Sequence, residues 1–227
     1  MANYKYAAIL SVVGSCADRF LVAGYSDSFS IEELFNRVAS VNGISGVELV
    51  GDWHITKQNL LLIKENLTRT GLKVVSVIPN LFGRREWAKG AFSSKNKELR
   101  KKAVEETKEL IDMAIELDCN IINLWLGQDG YDYIFQGDYI REREWIEECI
   151  KECCDFRKDM KISIEYKIRE PRTHSYISSV AQALLMVKEV NEENCGVTID
   201  FGHALEGYEN PAESVALLKK YGDKLFH

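Results

Sequence analysis

The sequence has few of the features that mark secreted, membrane-bound or nucleic-acid-binding proteins. It contains only 3 Pro and 6 Cys in 227 residues, and it lacks the run of about 18 apolar residues that spans a bilayer. Its N-terminus does not show the charged and then apolar order of a signal peptide. The 29 Lys and Arg are outnumbered by 35 Asp and Glu, which disfavours a nucleic-acid partner. We therefore expect a cytoplasmic protein without a membrane or nucleic-acid partner.

The cysteines are predicted to be reduced packing residues. Cys149, Cys153 and Cys154 fall within one helical stretch, an arrangement that does not suit disulfide pairing. Thiols also stay reduced in the cytosol. The sequence therefore indicates that the fold is held by an apolar core and not by disulfides.

Short apolar runs alternate with longer amphipathic stretches along the whole chain. This alternation predicts six strand–helix units on a parallel sheet and the start of a seventh strand at Leu225. The predicted strands are Tyr6–Val13, Gly46–Val50, Lys73–Pro79, Asn120–Leu126, Lys161–Tyr166 and Gly196–Phe201. The predicted helices are Ile31–Val41, Lys57–Thr70, Lys95–Leu117, Glu142–Arg157, Tyr176–Val190 and Pro211–Tyr221.

The pattern favours one α/β domain over residues 1–227. Ser30 with Glu33 predicts a capping box, and Asn210 before Pro211 predicts another helix start. No linker-like segment interrupts the series, which leaves an open doubly wound sheet and a (β/α)8 TIM barrel as alternatives. The first strand–helix turn carries no glycine-rich dinucleotide motif, and the barrel is therefore favoured.

Polar residues near the ends of several predicted strands also favour a barrel. Side chains of one parity share a face of a strand, so Ser163 and Glu165 lie on one face of the fifth strand. Thr198 and Asp200 share a face of the sixth strand. Polar groups gathered at the carboxyl ends of the strands are typical of the active-site mouth of such barrels.

Glu165 and Asp200 are the centre of the predicted site. Two unit charges 4 Å apart repel by about 4 kcal/mol at an effective dielectric of 20. A divalent cation would offset this repulsion, and His203, three residues after Asp200, can supply a third ligand. Carboxylate and imidazole ligands suit Mn²⁺, Mg²⁺, Co²⁺ or Zn²⁺. The structural alternatives are an ion pair between Glu165 and Lys167, an N-cap role for Asp200 and a packing role for His203.

These residues resemble a known superfamily. The matching segments are Gly46–Leu49, Ile164–Lys167, Val197–His203 and Leu225–His227. They resemble the xylose isomerase-like TIM-barrel superfamily of sugar isomerases, epimerases and endonuclease IV. The stretches Trp125–Tyr133, Glu165–Lys167 and Glu170–Arg172 are most similar to its L-rhamnose isomerase-related sugar isomerases. The resemblance covers the whole chain and implies a metal-dependent sugar isomerase or epimerase.

The resemblance also implies a role for each matching residue. Glu165 and Asp200 would ligate the metal, for which Mn²⁺ is the first expectation, and His203 would bind substrate or a metal and assist catalysis. Lys167 would contact the sugar oxygens. Packing remains the alternative for the tryptophans among the residues expected to line the sugar pocket, which are Trp53, His54, Trp125, Lys167 and His203. Arg169 and Arg172 are candidates for binding a phosphate.

In the superfamily the remaining ligands come from strands seven and eight, so the resemblance implies that residues 1–227 lack most of these strands. Aldose–ketose isomerisation of a sugar or a sugar phosphate in the intact protein is the leading hypothesis, with hydrogen moving either as hydride or as a proton. A catalytically inactive barrel fragment is the alternative. An endonuclease IV-like repair enzyme is a remote one, because the chain has only 4 His. We expect a sugar substrate, and a homo-oligomer stays open.

Overall fold

The computed structural model describes residues 4–16, 21 and 23–227. The described chain divides into two compact units. The first comprises the described residues up to Ile78 together with Asp112–Asn120, and the second comprises Pro79–Ile111 and Ile121–His227. None of the helices in this described part combines the length and the apolar character that crossing a membrane requires.

The first unit contains a parallel sheet of three strands, which are β1 (Tyr6–Ile9), β2 (Ile44–Val50) and β3 (Lys73–Ile78). The central strand, β2, pairs in parallel with both others. Two helices, α1 (Ile31–Ala39) and α2 (Leu60–Thr70), connect successive strands. The first strand is shorter than predicted, because Leu10–Val13 forms a 3-10 helix in which Leu10 is buried.

Local sequence signals define the ends of these helices. The Ser30 hydroxyl accepts a hydrogen bond from Glu33 N, and the Glu33 carboxylate accepts one from Ser30 N at 2.7 Å. The predicted capping box is therefore confirmed. At the end of α2, Gly71 has a φ of +72°, a left-handed conformation that glycine adopts without the steric cost of a Cβ.

The second unit contains a parallel sheet and a small antiparallel pair. Its strands are β4 (Ile121–Trp125), β5 (Gly130–Tyr131), β6 (Lys161–Glu165), β7 (His174–Ser175) and β8 (Cys195–Thr198). In the parallel sheet β6 lies between β4 and β8, whereas β5 and β7 pair antiparallel. The associated helices are α3 (Lys97–Glu116), whose residues from Asp112 onward belong to the first unit, α4 (Tyr139–Phe156), α5 (Val180–Val190), α6 (Phe201–Glu206) and α7 (Pro211–Lys220). The parallel strand–helix order confirms the predicted α/β pattern.

The parallel strands of the second unit are apolar on one face and polar on the other. The apolar side chains alternate along the strands and are at most 1% exposed; they are Ile122, Leu124, Ile162, Ile164 and Val197. Burial of each such side chain contributes roughly 1.5–3 kcal/mol. The other face carries Asn123, Ser163 and Thr198, which are also buried. This face leads to the candidate site.

The cysteines of α4 are buried and unbridged, as the sequence predicts. Burial raises the pKa of the Cys149 thiol to about 12 and that of Cys153 well above its usual value. These thiols are therefore protonated at neutral pH and act as apolar packing groups.

The chain turns into a helix directly after β8. The prediction of a strand over Gly196–Phe201 is wrong at its end, because β8 stops at Thr198 and Phe201 opens α6. After α7, Leu225 forms a parallel bridge to Val197. Val197 N donates to Lys224 O at 2.8 Å, and Phe226 N donates to Val197 O at 3.0 Å. A strand-like pairing therefore begins where the sequence predicts it.

Candidate metal centre

Three sequence-predicted residues converge at the carboxyl ends of β6 and β8. Glu165 is the last residue of β6, Asp200 follows β8 by two residues, and His203 lies in the first turn of α6. One ligand atom from each side chain lies within 4.8 Å of the others. All three residues are half-buried. The predicted trio is therefore assembled in one place.

The imidazole of His203 lies between the two carboxylates. Its Nδ1 is 3.2 Å from Glu165 Oε1, and its Nε2 is 3.8 Å from Asp200 Oδ2. Nδ1 is buried, yet it forms no hydrogen bond, because the approach to Glu165 is close without the geometry that a hydrogen bond requires. A buried ring nitrogen thus has unused bonding capacity beside an acidic group.

The two carboxylate oxygens of Asp200 have different roles. Oδ1 accepts a hydrogen bond from His203 N at 2.8 Å, which makes Asp200 the N-cap of α6. Such a cap contributes about 1 kcal/mol. The N-cap alternative is therefore confirmed, and it leaves Oδ2 available toward His203 and Glu165.

A chain of buried polar side chains fixes the orientation of Glu165. Asn123 Nδ2 donates to Glu165 Oε2 at 2.6 Å, and Thr198 Oγ1 donates to Asn123 Oδ1 at 2.8 Å. Ser163 Oγ lies 2.7 Å from Thr198 Oγ1. The strand register brings these groups together, since Asn123 pairs with Ser163 and Glu165 pairs with Thr198. We did not predict Asn123 as a site residue, although its position between the apolar Ile122 and Leu124 places it on the polar face of β4.

The charges of the site fit a divalent cation. Carboxylate ligand atoms that lie within 4.8 Å of one another repel by about 3.5 kcal/mol or more at a dielectric of 20. Solvent reduces this value, because the Asp200 side chain is 41% exposed. Among the described residues, neither Glu165 nor Asp200 forms an ion pair with Lys or Arg. Two carboxylates and an imidazole with an unpaired buried nitrogen are a suitable donor set for Mn²⁺ or a similar ion.

Lys167 lies beside the site but pairs with other acids. Its Nζ is 3.5 Å from Glu170 Oε2 and 3.9 Å from Glu206 Oε2, so the alternative of an ion pair with Glu165 is wrong. Lys167 and Glu165 instead line the same small cavity, which has a volume of about 10 Å³. Arg169 also pairs with Glu206, at 3.2 Å.

Two aromatic rings border the site. The ring of Trp125, the last residue of β4, stacks with that of His203 at a centroid distance of 6.5 Å and an interplanar angle of 21°. Phe82 packs edge-on against Trp125 at 4.4 Å. Trp125 Nε1 is buried without a hydrogen-bond partner. Phe82 was not predicted, because it lies in an irregular loop where no periodic pattern distinguishes it.

Trp53 and His54, two expected sugar-pocket residues, belong to the first unit. Trp53 is 54% exposed, whereas His54 is only 4% exposed. His54 Nδ1 accepts a hydrogen bond from Val50 N at 2.9 Å, and burial lowers the pKa of His54 to about 4. The observed contacts of His54 are structural, and the sugar-binding role of both residues stays a prediction.

These features define an α/β protein with an acidic centre at the ends of parallel strands. Residues 35–227 match the family described as xylose isomerase-like TIM barrel. The chain therefore belongs to this family, which confirms the predicted fold class and superfamily.

Curated relatives of the chain include bacterial xylose isomerases. The chain is 29% identical over 169 residues to the xylose isomerase of Thermus thermophilus, a match that covers 72% of this chain and 43% of that protein. It is 27% identical over 163 residues to the xylose isomerase of Roseobacter denitrificans, a match that covers 70% of this chain and 38% of that protein. The chain thus matches less than half the length of these curated relatives.

Solved structures with the same fold include two described as an epimerase or as epimerase-like. A D-tagatose 3-epimerase-like protein superposes with a TM-score of 0.74 at 20% identity, covering 98% of this chain and 74% of that chain. A D-psicose 3-epimerase crystallised in the presence of D-fructose superposes with a TM-score of 0.73 at 17% identity, covering 98% of this chain and 71% of that chain. These similarities establish the fold. The closer likeness to L-rhamnose isomerases stays a prediction.

Proposed function

We propose that the protein is a metal-dependent enzyme that isomerises or epimerises sugars, with aldose–ketose interconversion as the leading reaction. The observation that carries this proposal is the convergence of Glu165, Asp200 and His203 within 4.8 Å. Membership of the xylose isomerase-like family supports a sugar substrate. The names of the similar proteins, xylose isomerase and D-psicose 3-epimerase, support an isomerisation or an epimerisation of a sugar.

Glu165 Oε1, Asp200 Oδ2 and a ring nitrogen of His203 would hold the cation, with Mn²⁺ first among the candidates. When bound, a divalent cation polarises a carbonyl group and stabilises negative charge on substrate oxygens. The chain's own contribution is orientation. Asn123 holds Glu165 Oε2 at 2.6 Å, so that Oε1 faces the centre.

The sugar binds on the solvent-accessible side of the carboxylates. The cavity shared by Glu165 and Lys167, about 10 Å³, has room for about one water molecule and not for a sugar. The rings of Trp125 and Phe82 provide an apolar wall for the C–H face of the ligand. Lys167 Nζ donates to a sugar oxygen, while its pairs with Glu170 and Glu206 limit its movement.

His203 is the proposed group for proton transfer. In aldose–ketose isomerisation one hydrogen moves between neighbouring carbons, and one proton moves between their two oxygens. With one ring nitrogen of His203 holding the cation, the other would orient a sugar hydroxyl or assist this proton transfer.

The test is to incubate the protein with D-xylose, D-tagatose or D-psicose and to follow by NMR the formation of their aldose or ketose isomers and of their epimers. We expect activity that EDTA abolishes and Mn²⁺ restores. Asp200→Asn keeps the helix cap but removes the charge, and we expect at least a hundredfold loss of activity. Glu65→Gln, an exposed helical position in the first unit, is the matched control. Activity that is insensitive to EDTA would refute metal dependence, and no conversion of any sugar by the cation-loaded protein would refute the proposed reaction.

A further inference from the structure

The second unit contains another, larger cavity. Its volume is about 640 Å³, and it lies among the loop after β3, the start of α3 and β5. Glu165, Asp200 and His203 are not among the residues that line it. The volume falls within the range of about 300–1,000 Å³ that is typical of small-molecule sites.

Uncommitted positive charges form the rim of this cavity. Arg85 and Lys89 line it and are exposed, and within the described ranges neither side chain has an ion-pair or hydrogen-bond partner. Lys95 is the third cation of the rim. It donates to Gln136 O at 3.2 Å and lies 3.8 Å from Glu142 Oε1.

The two acids that line the cavity are already engaged. Glu86 lies 2.7 Å from Lys102 Nζ and 3.3 Å from Arg84 Nε. Glu142 is buried and accepts hydrogen bonds from the Tyr176 hydroxyl at 2.6 Å and from the backbone N of Asp138, the N-cap of α4, at 3.1 Å. The charge that remains available to a ligand is therefore positive.

The floor of the cavity is polar and buried. Ser93 and Ser94 are 2% and 5% exposed, and Arg172 is 5% exposed. Arg172 is oriented by Asp132, whose carboxylate accepts from Nε at 3.0 Å. The first turn of α3, a helix of 20 residues, also lines the cavity, and the N-terminal end of a helix carries partial positive charge.

We propose that this cavity binds a small phosphorylated polyol separately from the candidate metal centre. The phosphate lies between Arg85 and Lys89 near the start of α3, and the hydroxyl groups of the ligand contact Ser93 and Ser94. Two uncommitted cations match a dianion. The volume far exceeds that of phosphate alone, and the polar floor suits a hydroxylated remainder. The proposal uses no residue of the metal centre and does not depend on the proposed function.

The test is calorimetric titration of the protein in EDTA, at fixed ionic strength, with glucose 6-phosphate and ribose 5-phosphate. Inorganic phosphate and glucose are the comparison probes. We expect binding of at least one sugar phosphate, weaker binding of phosphate and none of glucose. The double variant Arg85→Gln/Lys89→Gln should bind at least tenfold more weakly. The control Lys101→Gln/Lys151→Gln removes the same charge from exposed positions of the same unit and should bind normally.

Four outcomes would overturn the proposal. Failure of both sugar phosphates to bind would exclude the site. An equal loss of affinity in the control variant would show that the loss comes from the overall charge of the protein and not from Arg85 and Lys89. If inorganic phosphate bound as tightly as a sugar phosphate, the contacts of Ser93 and Ser94 with the ligand's hydroxyl groups would contribute nothing to binding. Loss of binding in Glu165→Gln would move the ligand to the metal centre. Because the titration is done in EDTA, none of these results depends on sugar isomerisation.

Discussion

Replacing Glu165 with Gln is expected to change stability in opposite directions with and without a divalent cation. Without the cation, the variant loses a carboxylate whose ligand atom lies within 4.8 Å of that of Asp200. The repulsion of about 3.5 kcal/mol that a separation of 4.8 Å gives at a dielectric of 20 falls to about 1 kcal/mol once solvent screening at the exposed part of Asp200 is included. Gln keeps an oxygen that can accept from Asn123 Nδ2. The cation-free variant should therefore melt about 2–4 °C higher than the wild type.

With the cation the order reverses. A ligand at about 100 times its dissociation constant stabilises the native state by about 2.7 kcal/mol, which corresponds to a rise in Tm of about 5–11 °C for a chain of this size. Glu165→Gln loses one of two charged ligands, so its rise should be small.

The assay is thermal unfolding by circular dichroism at about pH 8, where an ordinary histidine is neutral, first in EDTA and then in excess Mn²⁺. Glu65→Gln serves as the control and should follow the wild type in both conditions. The reasoning is refuted if the wild type does not respond to Mn²⁺, or if Glu165→Gln responds equally. A cation-free variant that melts below the wild type would refute the electrostatic part.

Three further predictions concern stability. Burial lowers the pKa of His54 to about 4, so stability is lost as the pH falls from about 6.5 through 4; His54→Gln should remove this loss in urea titrations, and an unchanged profile would contradict it. Burial raises the pKa of Asp129 to about 6, so stability is lost as the pH rises from about 4 through 6, by up to about 3 kcal/mol. Asp129→Asn should flatten this slope, and a slope that persists would assign it to another group. Ser30→Ala should lower stability by about 1 kcal/mol and Ser30→Asp should preserve it; equal denaturant midpoints for the two variants would exclude a capping contribution.

Most of the fold could be predicted because the apolar periodicity changes clearly between strands and helices. The errors fall where short-range hydrogen bonding competes with the apolar pattern. Phe201 continues the apolar run of β8, but the Asp200 carboxylate caps the backbone beyond it and starts α6. Leu10–Val13 is apolar as well, yet it forms a 3-10 helix. A periodic pattern reports burial, and it does not report which turn the backbone takes at the end of a strand.

The ligand trio could be predicted because its members lie at the end of a strand, shortly after one, or one helical turn beyond. The neighbours of the trio depend on elements that the pattern misses. Glu206, which pairs with Lys167 and Arg169, lies on the unpredicted helix α6. Phe82 comes from a loop without periodicity. Long-range ion pairs and ring contacts depend on tertiary placement, about which spacing along the chain gives no information.

The double use of the Asp200 carboxylate links ion occupancy to local order. A segment of six residues, Phe201–Glu206, is too short to persist as an isolated helix, and its first turn depends on the same group that would contact the ion. Loading the centre should therefore slow amide hydrogen exchange in this segment more than elsewhere in the second unit. Amide protection there would serve as a reporter of occupancy even when no sugar is turned over.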